Sequence, residues 1–428
     1  MPQTDLSPAS THVASEGALH DVLIIGGGLV GASLAIALDR LGLTVGLVEA
    51  TPAGSLPPVF DERNLSFAEA TVNALTALGV MQKLRAPTGA IERIHVSRSG
   101  DFGRTVLEAA GHGRSEFGRV VIARDFGDAL EARLGELQHL RRYRPMRFVG
   151  LANDTADERV VRVADDSGEH LLRTRLLVAA DGTRSGVRDA LGIGADEHDY
   201  AQTLFVTRLR AERVPDGTAY ERFGKDGPTA LLPRGDRHFG LVHGVSREEA
   251  STVAVMDEAA FLARVQETFG WRAGRFLSCG PRSAYPITRV MAQALTASRA
   301  VLVGNAAQTI HPIGAQGFNL GLRDALTLAE LIEGAQRGNP GFDCGDAALL
   351  ARHAQRRHDD RERTVAFSDG LARLTSNDSE LLRPLRSLGL FAADRLPSAQ
   401  AFLVGAAMGY RGDVPALCRT APAATGAA

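Results

Sequence analysis

The chain has 428 residues, 44% hydrophobic and 23% charged, enough for two or three domains with sizeable cores. A formal net charge of −2 supplies no global field for nucleic acid, and the basic run Arg141–Arg147 carries no nucleic-acid motif and reads as a solvated edge. Three widely spaced cysteines, Cys279, Cys344 and Cys418, argue against a disulfide framework and fit a reducing compartment, and no CxxC or HExxH spacing marks a metal site.

Residues 1–18 hold no Lys, no Arg and no apolar segment, so they read as a disordered tail and not as a signal peptide. Val22–Ile25 is an apolar strand that runs into Gly26-Gly27-Gly28-Leu29-Val30-Gly31 and then into the helical pattern Ala32–Leu41. A second strand, Thr44–Val48, ends at Glu49, 21 positions beyond Gly28. Together these form a βαβ unit with GxGxxG in its turn, the fingerprint of dinucleotide binding. Gly26 permits the tight turn, Gly28 lets a pyrophosphate approach the backbone, and Gly31 lets helix and strand pack. Glu49 is placed to accept from a ribose. The fingerprint alone fits NAD and FAD equally.

A Pro/Gly loop at 52–58 precedes Arg63 and a predicted helix over Phe67–Leu78. Strands are predicted near Ile91–Ser97 and Arg119–Ile122, then a helix over Asp125–Leu137 with Arg124 at its junction, a candidate anion site like Arg63. Residues 148–180 read as a β-meander turning at Asp165-Asp166-Ser167-Gly168. Its last strand enters Asp181-Gly182-Thr183-Arg184-Ser185-Gly186, at the carboxyl edge where open α/β sheets collect ligands. Residues 200–285 alternate as an antiparallel sheet with one predicted helix, about Asp257–Phe269.

Ala300–Leu331 reads as strand, Gly-rich loop and helix, with Phe318, Leu322, Ala325, Leu326 and Ala329 on one helical face. That arrangement turns free N–H groups and the positive end of a helix towards the loop His311–Gly317. Beyond Ala347 the pattern is helical, and Arg356, Arg357, Arg361 and Arg363 read as a solvated face. No uncharged apolar run reaches transmembrane length.

GGGLVG, AADGTRSGVR and VGNAAQTIHPIGAQGFNLGLRD together resemble the three fingerprints of the class A flavin-dependent aromatic monooxygenases, over residues 20–410. Within that family the chain is similar to the hydroxylases of ubiquinone biosynthesis, of the 2-polyprenyl-6-methoxyphenol hydroxylase type. The resemblance implies the p-hydroxybenzoate hydroxylase fold: an α/β, Rossmann-like FAD-binding domain with an inserted antiparallel β-sheet substrate domain and a C-terminal helical region. Its FAD-binding segments would be 19–88, 115–195 and 285–345, its substrate segments 89–114 and 196–284, and its helical region 346–420.

The resemblance further implies FAD as cofactor and NAD(P)H as co-substrate, with O2 and a polyprenylated phenol as the other reactants, by way of a C4a-hydroperoxyflavin. Gly26, Gly28, Gly31 and Glu49 would hold the ADP half of FAD, with Asp181 and Gly182 near the pyrophosphate and Arg63 and Arg124 bordering the flavin. Asn305 stands where most relatives carry an Asp on the ribityl chain, and an Asn can still hydrogen-bond a hydroxyl there. Pro312, Gly314 and Gln316 would line the flavin ring, with Gly317, Phe318 and Asn319 at the helix start that stabilises reduced flavin. No acid or base emerges for the phenol, and His311 reads as a histidine held by loop packing.

A halogenase of this fold is disfavoured because Trp271 is the single tryptophan, too few for a Trp-x-Trp-x-Ile-Pro motif. A non-catalytic FAD-stabilised subunit and a hydroxylase of another aromatic substrate are the alternatives. A cytoplasmic setting is expected. Leu388–Tyr410 is a candidate for peripheral membrane contact, for contact with other ubiquinone-biosynthesis proteins, or for packing as a helix pair.

Overall fold

The strand Leu19–Ile25 is apolar at both phases because it is covered on both faces: Val22 and Ile24 enter one core and Leu23 and Ile25 another. The computed structural model describes residues 18–153, 155–339, 341–376 and 383–419, so the expected tail falls, apart from Ala18, outside the described residues. In spatial order Leu140–Tyr143, Val45–Val48, Leu19–Ile25, Gly168–Ala179 and Ala300–Leu302 pair in parallel. The strands Arg147–Leu151 and Arg159–Asp165 extend Gly168–Ala179 as an antiparallel meander.

The helices Leu29–Asp39 and Gln316–Gly338 pack together over one face of this sheet, burying Leu34, Leu38, Leu322, Leu326 and Ala329. Gly31 makes the approach possible: a Cβ there would lie 1.9 Å from the carbonyl oxygen of Gly26.

A second sheet of nine strands contains Arg93–Arg98 and Arg104–Glu108 together with Ala195–Ala211, Thr218–Gly224, Gly227–Pro233, Phe239–Ser246 and Ser283–Ala292. Its pairing is antiparallel except between Thr218–Gly224 and Arg93–Arg98, which run parallel because the second arrives from a distant part of the chain. Ser283–Ala292 pairs with Ala195–Ala211 over its whole length, so the nine-stranded sheet runs continuously through position 284/285.

Some expectations need correction. Phe67 is not helical: Asn64–Ala68 is a strand paired with Gly118–Ile122, and the helix is Glu69–Ala77. The substrate-side sheet carries two helices, Arg247–Val255 and Glu258–Phe269. The first was legible in Ser246-Arg247-Glu248-Glu249, a capping-box spacing in which the Ser246 hydroxyl accepts the Glu249 N–H. In the basic run, Arg144 is not solvated: it pairs with Glu131 and donates to the Thr51, Pro52 and Ser55 carbonyls, pinning the Pro/Gly loop.

The largest departure concerns the helix Ala347–Ser376. Arg357 is 0% exposed and Arg361 is also buried. Arg357 donates to Asp324 and Asp360, each at 2.7 Å, and Arg323 donates to Asp360 at 2.7 Å. Arg357 and Arg323 face inwards because carboxylates compensate their charge, while Arg361 donates to the Ala292 and Ala307 carbonyls. Arg363 is exposed, paired with Asp359 one turn away. Replacing Arg357 with Met, which takes the ion-pair partner from the buried Asp324 while Asp360 keeps Arg323, is expected to cost about 3–5 kcal/mol, read as a lower urea-denaturation midpoint.

Candidate active site

A cavity of about 1180 Å³ runs from the GxGxxG turn, past the loop Pro312–Gly317, to the helices Arg383–Arg395 and Pro397–Ala407. At the first end its wall includes Gly26, Gly28, Glu49, Arg63, Asp181, Gly182 and Asn305. Gly26 holds φ of +106°, and a Cβ on it would sit 2.4 Å from the Ala180 carbonyl. Gly28 leaves an open approach, since a Cβ there meets only Val59, at 3.6 Å.

The Glu49 carboxylate accepts the N–H groups of Gly27 and Thr51 at 2.9 and 2.8 Å, which fixes its orientation while leaving lone pairs for a hydroxyl. Asp181 takes the Ser185 hydroxyl at 2.5 Å and the Val187 N–H at 3.1 Å, so it anchors the turn into the helix Gly186–Ala190. Burial, only partly offset by these bonds, pushes its carboxyl above the usual range.

Two helices start on this cavity with no cap from any side chain and no acidic residue in the first turn. One is Leu29–Asp39 after Gly28, and the other is Gln316–Gly338 after Ala315. Gly314 and Ala315 are both left-handed, with φ of +67° and +51°, which lays the loop backbone open at the helix start. Uncapped N–H groups at two points of one cavity suit a ligand with two separated electron-rich regions. A flavin dinucleotide, with its pyrophosphate and its ring N1/C2=O edge, has that distribution.

The predicted site residues divide. Pro312, Gly314, Gln316, Gly317, Phe318 and Asn319 all border the cavity. Gln316 folds back to donate to the Gly314 carbonyl at 3.1 Å. Phe318 packs against Phe67 and Phe126, with ring centroids 5.2 and 5.4 Å away. The Asn319 side chain is already committed: it accepts from Ala68 N–H and the Thr71 hydroxyl and donates to the Ser66 and Ala315 carbonyls. It ties the helix start to the strand Asn64–Ala68 while bordering the cavity.

Arg124 is off the cavity wall, paired with Glu62 on the surface, because its place at the start of the helix Ala123–Leu134 turns it outwards. Arg63 forms a two-pronged pair with Asp61 at 2.8 and 2.7 Å and lies 4.4 Å over the Tyr285 ring, so part of its donor capacity is spent. His311 is buried, with Nδ1 accepting the Ile313 N–H and Nε2 facing the Gln202 side-chain oxygen. Burial lowers it to about 4, so it is neutral and held by packing, as expected.

One residue escaped the sequence reading. Glu221, on the strand Thr218–Gly224, lines the cavity among apolar neighbours. Burial raises its carboxyl to about 7, against the opposing influence of the Gly314 backbone N–H. Its partial exposure by area is to the cavity. The available signal was the period-2 phase that places Glu221 with Ala219 and Phe223 on one face.

The FAD-binding domain family matches residues 20–368. The chain belongs to this family. It is 34% identical over 390 residues to ubiquinone hydroxylase UbiL of Rhodospirillum rubrum, covering 91% of this chain and 89% of that one. It is 30% identical to 3-demethoxyubiquinol 3-hydroxylase of Escherichia coli over 88% of this chain and 95% of that one. Human ubiquinone biosynthesis monooxygenase COQ6 is 28% identical over 89% and 91%. Among solved structures, p-nitrophenol 4-monooxygenase PnpA of Pseudomonas putida superposes with a TM-score of 0.75 at 18% identity, over 92% of this chain and 98% of that one. The expected fold class therefore holds, and FAD is the cofactor, with NAD(P)H as electron donor.

The raised Glu221 carboxyl has a consequence for stability. The folded chain holds the proton up to about pH 7, whereas the unfolded chain releases it near 4.5, so stability falls as pH rises through that window. Glu221→Gln, neutral throughout, is expected to remove this decline, gaining up to ~3 kcal/mol over wild type at pH 8 relative to pH 4. Melting temperatures across that pH range check it.

Proposed function

We propose that this FAD-dependent monooxygenase hydroxylates the ring of a polyprenylated phenol in ubiquinone biosynthesis, using NAD(P)H and O2. The observation that carries the reading is the continuity of one cavity, from the dinucleotide fingerprint to an apolar end walled by Leu390, Leu403, Ala406 and Ala407. A small polar aromatic would not need that apolar length, whereas a prenyl chain gains about 25 cal/mol for each Å² it buries there.

When bound at this site, FAD would supply the redox chemistry, hydride acceptance from NAD(P)H and activation of O2. The chain does the rest. Gly26 and Gly28 bring the backbone close to the pyrophosphate, Glu49 accepts from the ribose, and Asn305 accepts from or donates to the ribityl chain. The uncapped start of Gln316–Gly338 stabilises negative charge on the ring edge. The loop Pro312–Gly317, lacking bulky side chains at Gly314 and Gly317, leaves room above the ring for oxygen and the phenol. Apolar walls from the nine-stranded sheet exclude water from the reacting centre. The segments of that sheet, 89–114 and 196–292, form the substrate lobe.

The cavity mouth extends the reading to a membrane surface. No described helix is long and apolar enough to cross a bilayer. The helices Arg383–Arg395 and Pro397–Ala407 nevertheless expose Leu385, Leu388, Phe391, Leu396 and Phe402, and Leu385 also lines the cavity. An apolar surface around an apolar mouth is what a protein needs to take a long-chain lipid from a bilayer without passing its tail through water.

Under 18O2, with FAD and NAD(P)H, the purified protein is expected to place one labelled oxygen on the ring of a polyprenyl phenol. NAD(P)H oxidation without labelled product, for every polyprenyl phenol supplied, would refute the assignment. Leu388→Asp with Phe391→Asp is expected to reduce co-sedimentation with phospholipid vesicles several-fold while leaving turnover of a short-chain phenol intact. Equal sedimentation of wild type and variant would remove the membrane entrance.

A further inference from the structure

We propose that Glu221 is the proton acceptor for the substrate's phenolic hydroxyl. This rests on the phenol-hydroxylase reading above and names the base that the three sequence fingerprints do not contain. The strand Thr218–Gly224 places Glu221 opposite Val96 on one side and Ala230 on the other, in the middle of the nine-stranded sheet. The carboxylate thus stands on an otherwise apolar stretch of sheet, directed into the cavity. Its strand neighbours Val96 and Phe223 pack with Ile313 in one buried cluster, so Glu221 lies against the loop Pro312–Gly317, at the reacting end of the cavity and not at the mouth.

The other titratable groups on the cavity wall are already engaged. Glu49 holds the Gly27 and Thr51 amides, and Asp181 anchors its own turn. Arg63 and the Tyr285 hydroxyl both bind Asp61. At the opposite flank Asp101 lies between Arg98 and Arg386, at 3.6 and 3.5 Å. His311 cannot serve, because its Nδ1 accepts an amide hydrogen and its Nε2 is turned to Gln202.

The charges that face Glu221 are few. On the adjacent strand Arg93–Arg98, Arg98 shares its face but is paired with Asp101. The other adjacent strand, Gly227–Pro233, contains no ionisable residue. The loop Pro312–Gly317 supplies only backbone, and the helix Ala347–Ser376 lines the cavity with Phe367 and Leu371, while its Asp369 is bound by Tyr200 and Arg289. Among the described residues no cation is paired with Glu221, and a carboxylate so placed is basic for its type.

An aromatic ring accepts an electrophilic oxygen faster as its hydroxyl loses a proton, because the O–H electron pair is released into the ring. In the step assigned to Glu221 the phenolic O–H bond breaks, its electron pair stays on the substrate, and the proton forms a new O–H bond on a carboxylate oxygen. The carboxylic acid then returns the proton to solvent after product leaves. An ordinary phenol has a pKa near ~10, above that of the carboxyl at about 7, so the proton moves as oxygen is transferred and not in a prior equilibrium.

The test uses FAD-loaded full-length protein, a geranylated phenol, and the same phenol bearing ring fluorines that ionise it at the assay pH. For wild type the yield of hydroxylated product per NAD(P)H consumed should rise through a pH limb near 7. Glu221→Gln should lose that limb and fall about 100-fold with the ordinary phenol, while the fluorinated phenol restores most of the yield. Glu221→Asp should retain the limb. Infrared difference spectra, independent of turnover, should show a carboxylic C=O band titrating near pH 7 in wild type and missing in Glu221→Gln.

Unchanged yield and pH limb in Glu221→Gln would overturn the assignment. So would an equal loss with both phenols despite full FAD content, which would mark Glu221 as structural. Wild-type protein that hydroxylates neither phenol would instead overturn the phenol-hydroxylase reading itself, and the assignment with it.

Discussion

Asp324 is the residue on which the geometry of this site depends. It lies on the helix Gln316–Gly338, buried, with one carboxylate oxygen on the Arg357 guanidinium and the other on Gln308 and the Gly304 N–H. One side chain therefore fixes three pieces against each other: the helix that begins at the flavin loop, the turn that carries Asn305, and the long helix Ala347–Ser376. A buried carboxylate tolerates few arrangements, since any shift that breaks one bond leaves charge unsolvated. Ser368, about three turns beyond Arg357, donates to the His311 carbonyl at 2.8 Å and holds the near end of the loop in place. Asn319 closes the frame by tying the helix start to Asn64–Ala68 with all its donors and acceptors.

Within that frame the cavity carries two opposed kinds of electrostatics. Two uncapped helix starts, after Gly28 and after Ala315, present fixed positive potential where a cofactor has negative or electron-rich groups. On the wall of the same cavity, Glu221 is kept in apolar surroundings that raise its proton affinity. The two coexist because the dipolar groups are backbone and stay fixed, while the ionisable group sits on the nine-stranded sheet. The Gly314 backbone stands between them, and its left-handed conformation lets the loop serve both sides.

The C-terminal helices finish the cavity and also expose its most apolar surface. Their attachment is specific: Asp394 accepts the Val106 N–H at 2.7 Å, and the Thr105 hydroxyl donates to the Leu390 carbonyl at 2.8 Å. These helices are therefore registered to the nine-stranded sheet and not loosely appended.

What the sequence determined by itself was local and periodic: the βαβ unit with Gly26, Gly28, Gly31 and Glu49, the Asp181-Gly182 turn, and the strand–loop–helix of Ala300–Leu331. Each is legible because its function lies in backbone conformation, and glycine spacing records backbone conformation directly. Relations between distant segments were decided only by the tertiary structure. Arg357 has the same charge and helical phase whether it meets solvent or Asp324, and Asn319 could point to a ligand or to Ala68 and Ser66. Glu221 looks like any strand carboxylate until Val96, Ala230 and Gly314 surround it. Burial, and with it the proton affinity of a side chain, belongs to the packed arrangement of many segments, which no single stretch of sequence contains.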